Sequence, residues 1–213
     1  MNIIEIKKEN IRKAGEIIAQ SFAGDPIFKY IFKTKENYIK NAPWLFSSWV
    51  RWSTMFGKAW MTEDGNGILL MRPPDNPRMT MASFIKAGML PTPWKIGLKS
   101  FIRFYFKMVP LLEKLNNKVM QGSPHWYGWM ICAHPEHKGL GIRLSNHCAA
   151  IADELNLPIY LETALPRDIH YYFHYGFETK EQVNSPDGEF LIYAMVRAPK
   201  PQKPVPLPKR ILA

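Results

Sequence analysis

A chain of 213 residues with 46% hydrophobic and 13% aromatic side chains is too apolar to stay disordered and long enough for one domain with a substantial core. Its 28 Lys and Arg outweigh 18 Asp and Glu, for a formal net charge of +10. That charge suits an anionic partner, yet no basic motif with stacking aromatics occurs, and nucleic acid is not expected. With no apolar run of about eighteen residues and no signal-peptide layout at Met1–Glu5, the chain reads as cytoplasmic and without stable membrane association.

In chain order, Asn2 to Ile6 reads as a strand, and Asn10 as the N-cap of a helix whose apolar positions are Ile11, Ala14, Ile18 and Phe22. Asp25-Pro26 restarts the chain into a short apolar segment, and a Trp- and Phe-rich helix is predicted from Tyr38 to Phe56. Ala59–Thr62 and Ile68–Met71, joined through Asp64-Gly65-Asn66-Gly67, form a hairpin signal that Pro73-Pro74 ends. Residues 76–123 follow a mostly helical pattern broken at Gly88, Pro91, Pro93 and Pro110. This segment mixes Phe84, Trp94, Phe101, Phe104, Tyr105 and Phe106 with lysines, as an amphipathic cover over a core does. A substrate-side lid is compatible with it, and a membrane-surface helix is the outlying alternative.

Trp126–Cys132 then reads as a strand, and Leu144, Cys148, Ile151 and Leu155 recur at helical spacing beyond the turn Ala133–Gly141. A glycine-rich turn that opens a helix is an anion site, because free backbone N–H groups and the helix dipole converge there. Ile159–Thr163 is a predicted strand and Asp168–Tyr175 a short helix closed by Gly176. Two strands near Phe177–Val183 and Phe190–Val196 end the folded part. The segment 198–213, with five prolines from Pro199 to Pro208, is expected to be an extended tail.

Five pieces in this order carry a resemblance: His125-Trp126-Tyr127; the strand ending in His134-Pro135-Glu136-His137; Gly139-Leu140-Gly141; Tyr160-Leu161-Glu162-Thr163; and Tyr171-Tyr172-Phe173-His174-Tyr175-Gly176-Phe177, which matches FYxxxGF with Tyr171 for Phe. The chain resembles the GNAT superfamily of acyl-CoA-dependent N-acyltransferases, in the branch similar to puromycin N-acetyltransferase. The resemblance implies an α/β (α+β) fold over residues 1–197: a mixed, twisted central sheet with splayed central strands, flanked by helices. Residues 76–123 would be a helical insertion before the cofactor strand, on the acceptor side. It also implies acetyl-CoA as co-substrate, with no metal, and a small-molecule amine as acceptor.

Carried over residue by residue, the backbone of Ile131, Cys132 and Ala133 would pair with pantetheine as an added strand. The amides of Lys138, Gly139, Leu140, Gly141 and Ile142 would hold the pyrophosphate. Tyr172 would protonate the leaving thiolate, and an amide of Cys132 or Ala133 would stabilise the oxyanion. Asp168 stands where many relatives have Asn, as a helix cap that also meets the cofactor. Glu162 is either a general base facing the gap or a backbone-bonding carboxylate. His125 and His134 are further base candidates. His170 and His174 stand four apart without the Glu of HExxH, so zinc is not expected. The loop departs from the family's QxxGxG pattern: it is about two residues short by comparison and carries Glu136 where Gln or Arg is expected. The alternative that this raises is a GNAT-fold binding or regulatory protein with weakened or lost CoA binding.

Overall fold

The computed structural model describes residues 2–75, 79–134, 136–137 and 139–200. The chain opens with β1 (Ile3–Glu5), α1 (Ile11–Ser21), α2 (Pro26–Phe32) and α3 (Lys35–Phe56), then the hairpin β2 (Lys58–Thr62) and β3 (Gly67–Arg72). The helices α4 (Met81–Lys86), α5 (Thr92–Ile96), α6 (Leu98–Phe101) and α7 (Val109–Met120) separate β3 from β4 (Trp126–Ala133). Then come α8 (Leu140–Glu154), β5 (Ile159–Thr163), α9 (Pro166–His174), β6 (Phe177–Asn184) and β7 (Leu191–Arg197). Among the described residues the strands form one seven-stranded sheet in the order β1-β2-β3-β4-β5-β7-β6. All neighbours are antiparallel except β4 and β5.

Side chains of β3 alternate between two cores, as the pleat dictates. Ile68 and Leu70 pack with α1 and α3 on one face, and Leu69 and Met71 pack with α8 on the other. A strand covered on both faces needs no polar alternation, and β3 is buried throughout. Arg197, 3% exposed at the end of β7, forks onto Asp153 of α8 at 2.7 and 2.8 Å and so fixes that helix against the sheet.

Several predicted boundaries shift for local reasons. Asn10 makes no side-chain cap bond, because it already has helical dihedrals at the end of a 3₁₀ turn, Lys8–Asn10. Pro110 does not break its helix. It sits at the second position of α7, where a missing N–H costs little, directly after a π-helical stretch, Ile102–Met108, in which the Val109 N–H reaches the Phe104 carbonyl. Asp168 is not the cap of α9. Pro166 occupies the first position and starts the helix two residues earlier, so Asp168 falls in the first turn. Of the expected extended tail, residues 201–213 lie outside the described residues.

Gly15 lets α1 meet α3 at backbone distance: a Cβ there would lie 2.6 Å from Ser47 N and 2.8 Å from its Cα. Gly15→Ala gains about 1 kcal/mol of helix propensity, but it sets that against a clash with backbone that only separating the helices relieves. The variant is expected to be less stable by about 1–3 kcal/mol, read as a lowered midpoint in thermal unfolding by circular dichroism.

Candidate active site

The two parallel strands part almost as soon as they meet. Ladder pairing of β4 with β5 covers Trp126–Ile159 and Tyr127–Tyr160, although β4 runs on to Ala133 and β5 to Thr163. At the point of departure β4 carries a bulge: Leu70 faces Met130 and Met71 faces Gly128, leaving Trp129 as the extra residue. A bulge bends and overtwists its strand, which turns β4 away from β5. The gap opens into a cavity of about 600 Å³. Gly128–Ile131 and Leu161–Thr163 form its sheet side, Asp168 and Tyr172 of α9 one flank, and Phe84, Phe101, Phe104 and Tyr105 of the inserted helices another.

Glu162 stands on this wall. It lies two residues from Tyr160 on one strand, and Tyr127 is Tyr160's partner in parallel register, so all three share a face. Both tyrosine hydroxyls donate to the carboxylate, Tyr127 at 2.5 Å to Oε2 and Tyr160 at 2.8 Å to Oε1. Burial pushes the Glu162 pKa up to about 7, against the lowering effect of the two hydroxyls and of Arg72. Arg72 ends β3 opposite Tyr127, holds its guanidinium 4.7 Å from that ring, and pairs with Glu113 of α7 at 3.3 Å. The arrangement leaves a carboxylate that takes up or gives back a proton near neutrality.

Tyr172 lines the cavity beside Asp168. Burial first, and then the Asp168 charge, raise its pKa far above the ordinary tyrosine value, so its hydroxyl keeps its proton through neutral pH. Asp168 itself is raised by burial, against Arg167 and the Thr163 hydroxyl. Ile131 lines the cavity too. Cys132 is buried in the α1–α3 core, where desolvation lifts its thiol to about 12, and Ser21 of α1 donates to the Ala133 carbonyl at 2.8 Å. A thiol that stays protonated is a poor nucleophile.

Gly139, Leu140, Gly141 and Ile142 lie outside the cavity wall, at the start of α8. Gly139 is left-handed (φ 85°) at the N-cap and makes no side-chain cap bond, so among the described residues no cap side chain takes up the first-turn N–H groups. At Gly141 a Cβ would sit 3.2 Å from the Tyr171 hydroxyl, which bonds Ser145 at 3.0 Å. The helix α9 thus reaches both the cavity, through Tyr172, and the start of α8, through Tyr171. Lys138 lies outside the described residues.

The histidines separate from this group. His125 is held by the Ser123 carbonyl at Nδ1 and by Asn116 at Nε2, and burial lowers its pKa, which describes a fixed neutral imidazole. His134 bonds locally in its turn, through the Glu136 N–H. His170 and His174 lie on the solvent side of α9, and among the described residues no group of three His, Cys, Asp or Glu is arranged to hold a metal.

Sequence reasoning missed four groups. Asp25 was legible only as a point where the chain restarts; in the structure it caps α2, accepting from Ile27 N at 2.8 Å. It also lines the cavity, 6% exposed, with burial raising its pKa to about 6. Tyr127 stood in a motif without a role, and its reach to Glu162 needs the parallel register. Arg72 and Glu113 are far apart in sequence and carry no local signal.

No family model matches the chain. It is 23% identical over 184 residues to an uncharacterized N-acetyltransferase of Schizosaccharomyces pombe, a match covering 84% of this chain and 74% of that one. Among solved structures it is similar to one from Corynebacterium glutamicum described as histone acetyltransferase HPA2 and related acetyltransferase, with TM-score 0.57 and 18% identity over 96% of this chain and 98% of the other. It is also similar to arylalkylamine N-acetyltransferase 2 of Aedes aegypti, with TM-score 0.57 and 13% identity over 93% and 99% of the two chains. The chain has the GNAT-type acetyltransferase fold.

Removing the Tyr127 hydroxyl takes one of two donors from the Glu162 carboxylate. Tyr127→Phe is expected to raise the Glu162 pKa above its value of about 7 by roughly one unit, measured by carbon-detected NMR titration of the carboxyl.

Proposed function

We propose that the chain is an N-acetyltransferase that moves an acetyl group from acetyl-CoA to the primary amine of a small molecule by direct transfer. The observation that carries this reading is the parting of β4 and β5, with a proton acceptor, Glu162, and a proton donor, Tyr172, on the walls of the same gap. The S. pombe relative's name and the acetyltransferase fold support the reaction class.

The residues fit the co-substrate. The β4 edge beyond Tyr127 runs along the gap without a β5 partner, so Ile131, Cys132 and Ala133 offer backbone to an extended pantetheine. The uncapped turn at Gly139–Ile142 offers amides to its phosphates. Acetyl-CoA supplies an activated acyl group. Glu162, as carboxylate, takes the proton from the incoming ammonium or from the amine as it attacks. An N–H at Cys132 or Ala133 stabilises the charge that builds on the carbonyl oxygen, and Tyr172 gives its proton to the departing sulfur. Amine and thioester become amide and thiol, with no covalent enzyme step, in keeping with the high thiol pKa of Cys132.

The acceptor wall supports a cationic amine with an apolar body. Asp25, Glu113, Glu162 and Asp168 face the aromatic cavity, and Arg72, the cation among its described lining residues, is paired with Glu113. The arylalkylamine N-acetyltransferases among the similar structures, and the likeness of Tyr171–Phe177 to the puromycin N-acetyltransferase branch, favour a small-molecule acceptor.

Calorimetric titration is expected to show acetyl-CoA binding. Its absence at near-millimolar cofactor would instead favour a binding protein that has lost CoA, the alternative raised by Glu136. Tyr172→Phe is expected to lower kcat by roughly 10²-fold with acetyl-CoA affinity retained. Because the base acts deprotonated, kcat/KM should rise with pH and level off above about 7, and Glu162→Gln should flatten that acid limb along with the rate.

A further inference from the structure

Fourteen large hydrophobic residues stand exposed among the described residues, and half of them fall between Met81 and Phe106. Scattered exposed apolar side chains are ordinary, but a contiguous patch marks a contact surface. Here the spacing makes stripes. Met81 and Ile85 are four apart on α4, and Leu98, Ile102 and Phe106 follow at intervals of four along the continuous helix from α6 into the π-helical stretch. Trp94 of α5, 81% exposed, stands between them in the chain. The inner sides of the same helices meet through the Phe84–Tyr105 ring contact at 5.6 Å. Met81 and Phe106, 72% and 68% exposed, also line the cavity, so both stripes run to its mouth.

The charges on this segment have one sign. No acidic residue occurs between Asp75 and Glu113. Lys86, Lys95, Lys99 and Lys107 are exposed, each immediately after an exposed apolar residue: Ile85, Trp94, Leu98 and Phe106. Arg103 instead turns inward to the Ile31 carbonyl. One residue on along a helix is about 100° round it, so each of these lysines stands to the side of its apolar neighbour, where its ammonium flanks the stripe. A second copy laid on the same face would bring these cations against their own kind. A nucleic acid would meet the lysines and leave Trp94 and Leu98 without an apolar partner. An anionic bilayer surface satisfies both sets, headgroups for the lysines and the acyl boundary for Trp94 and the aliphatic side chains. No helix of the described residues is long and apolar enough to cross a membrane, which leaves contact at the interface.

We propose that the face from Met81 to Phe106 docks on an anionic lipid surface with the cavity mouth turned toward the lipid. Together with the acetyltransferase reading, on which this consequence alone rests, the orientation lets an amine with a lipophilic body enter the cavity from the membrane without crossing water.

The test uses the full chain with phosphatidylcholine vesicles, with and without phosphatidylserine, in a flotation assay. Binding is expected to vesicles that contain phosphatidylserine, to be weak to the neutral ones and to fall with salt. Lys95→Gln/Lys99→Gln should weaken it roughly 30-fold, and Trp94→Ala/Leu98→Ser by roughly tenfold or more. All four positions lie outside the cavity wall, so acetyl transfer to a short soluble amine should match the parent chain in both variants. Absence of vesicle binding, or binding indifferent to both pairs of substitutions, overturns the proposal. So does a dimer in analytical ultracentrifugation that Trp94→Ala/Leu98→Ser breaks while vesicles are ignored. If the chain binds vesicles as described but transfers acetyl to no amine, docking stands and the proposed reaction fails.

Discussion

The structure turns on the separation of β4 from β5 after a single pair of ladder steps. Inside a sheet a strand edge is expensive to leave open, because backbone donors and acceptors have lost water and gained no partner. The bulge at Trp129 forces the separation locally, and the packing around it keeps the strands apart. Trp129 stacks on Trp49 of α3 at 5.4 Å and meets Trp52 edge-on at 5.5 Å, so closing the gap would mean dismantling an aromatic cluster. The gap is therefore held open by packing on one side and by the bulge on the other.

The second constraint is electrostatic. A carboxylate on the wall of an apolar cavity is pushed toward protonation, and burial raises Glu162 in this way. Two tyrosine hydroxyls and the Arg72 field pull it back to about 7. Arg72 acts at a remove because Glu113 draws its guanidinium aside. A direct Arg–Glu162 pair would hold the carboxylate ionised and make it a weak base. The chain as a whole is strongly basic, yet four carboxylates gather at this cavity while the lysines of the insertion face outward. Charge is sorted by location, and the net value says little about the site.

Most of the fold was legible because its signals are local. The hairpin turn at Asp64–Gly67, the strand at Ile159–Thr163 and the left-handed glycine after α9 (Gly176, φ 82°) each announce themselves within a few residues. The relations that make the site were not local. That Tyr127 reaches Glu162 depends on a parallel register between strands separated by α8, and nothing near Asp25 in the sequence points to the cavity that it lines. Pro110 was read as a break and the start of α9 was placed two residues late, at Asp168, for one reason: the first turn of a helix tolerates proline's missing N–H, and helix starts are not visible in spacing alone.

The helices between β3 and β4 leave the sheet's register untouched because of where the chain leaves and returns. The chain departs the sheet at Arg72 and re-enters at Trp126, and Arg72 lies directly across from Tyr127 in the ladder. The excursion closes on adjacent rungs, so the sheet's register is fixed whatever the intervening helices do. One ion pair spans the two parts at the site itself: Glu113 of α7 grips Arg72, whose guanidinium lies over the tyrosine that serves Glu162. The helical wall of the cavity is thus tied to the carboxylate on its sheet side. A shift of α7 would be felt at Glu162 through Arg72 and Tyr127, so the proton affinity of that carboxylate depends on where the helix sits.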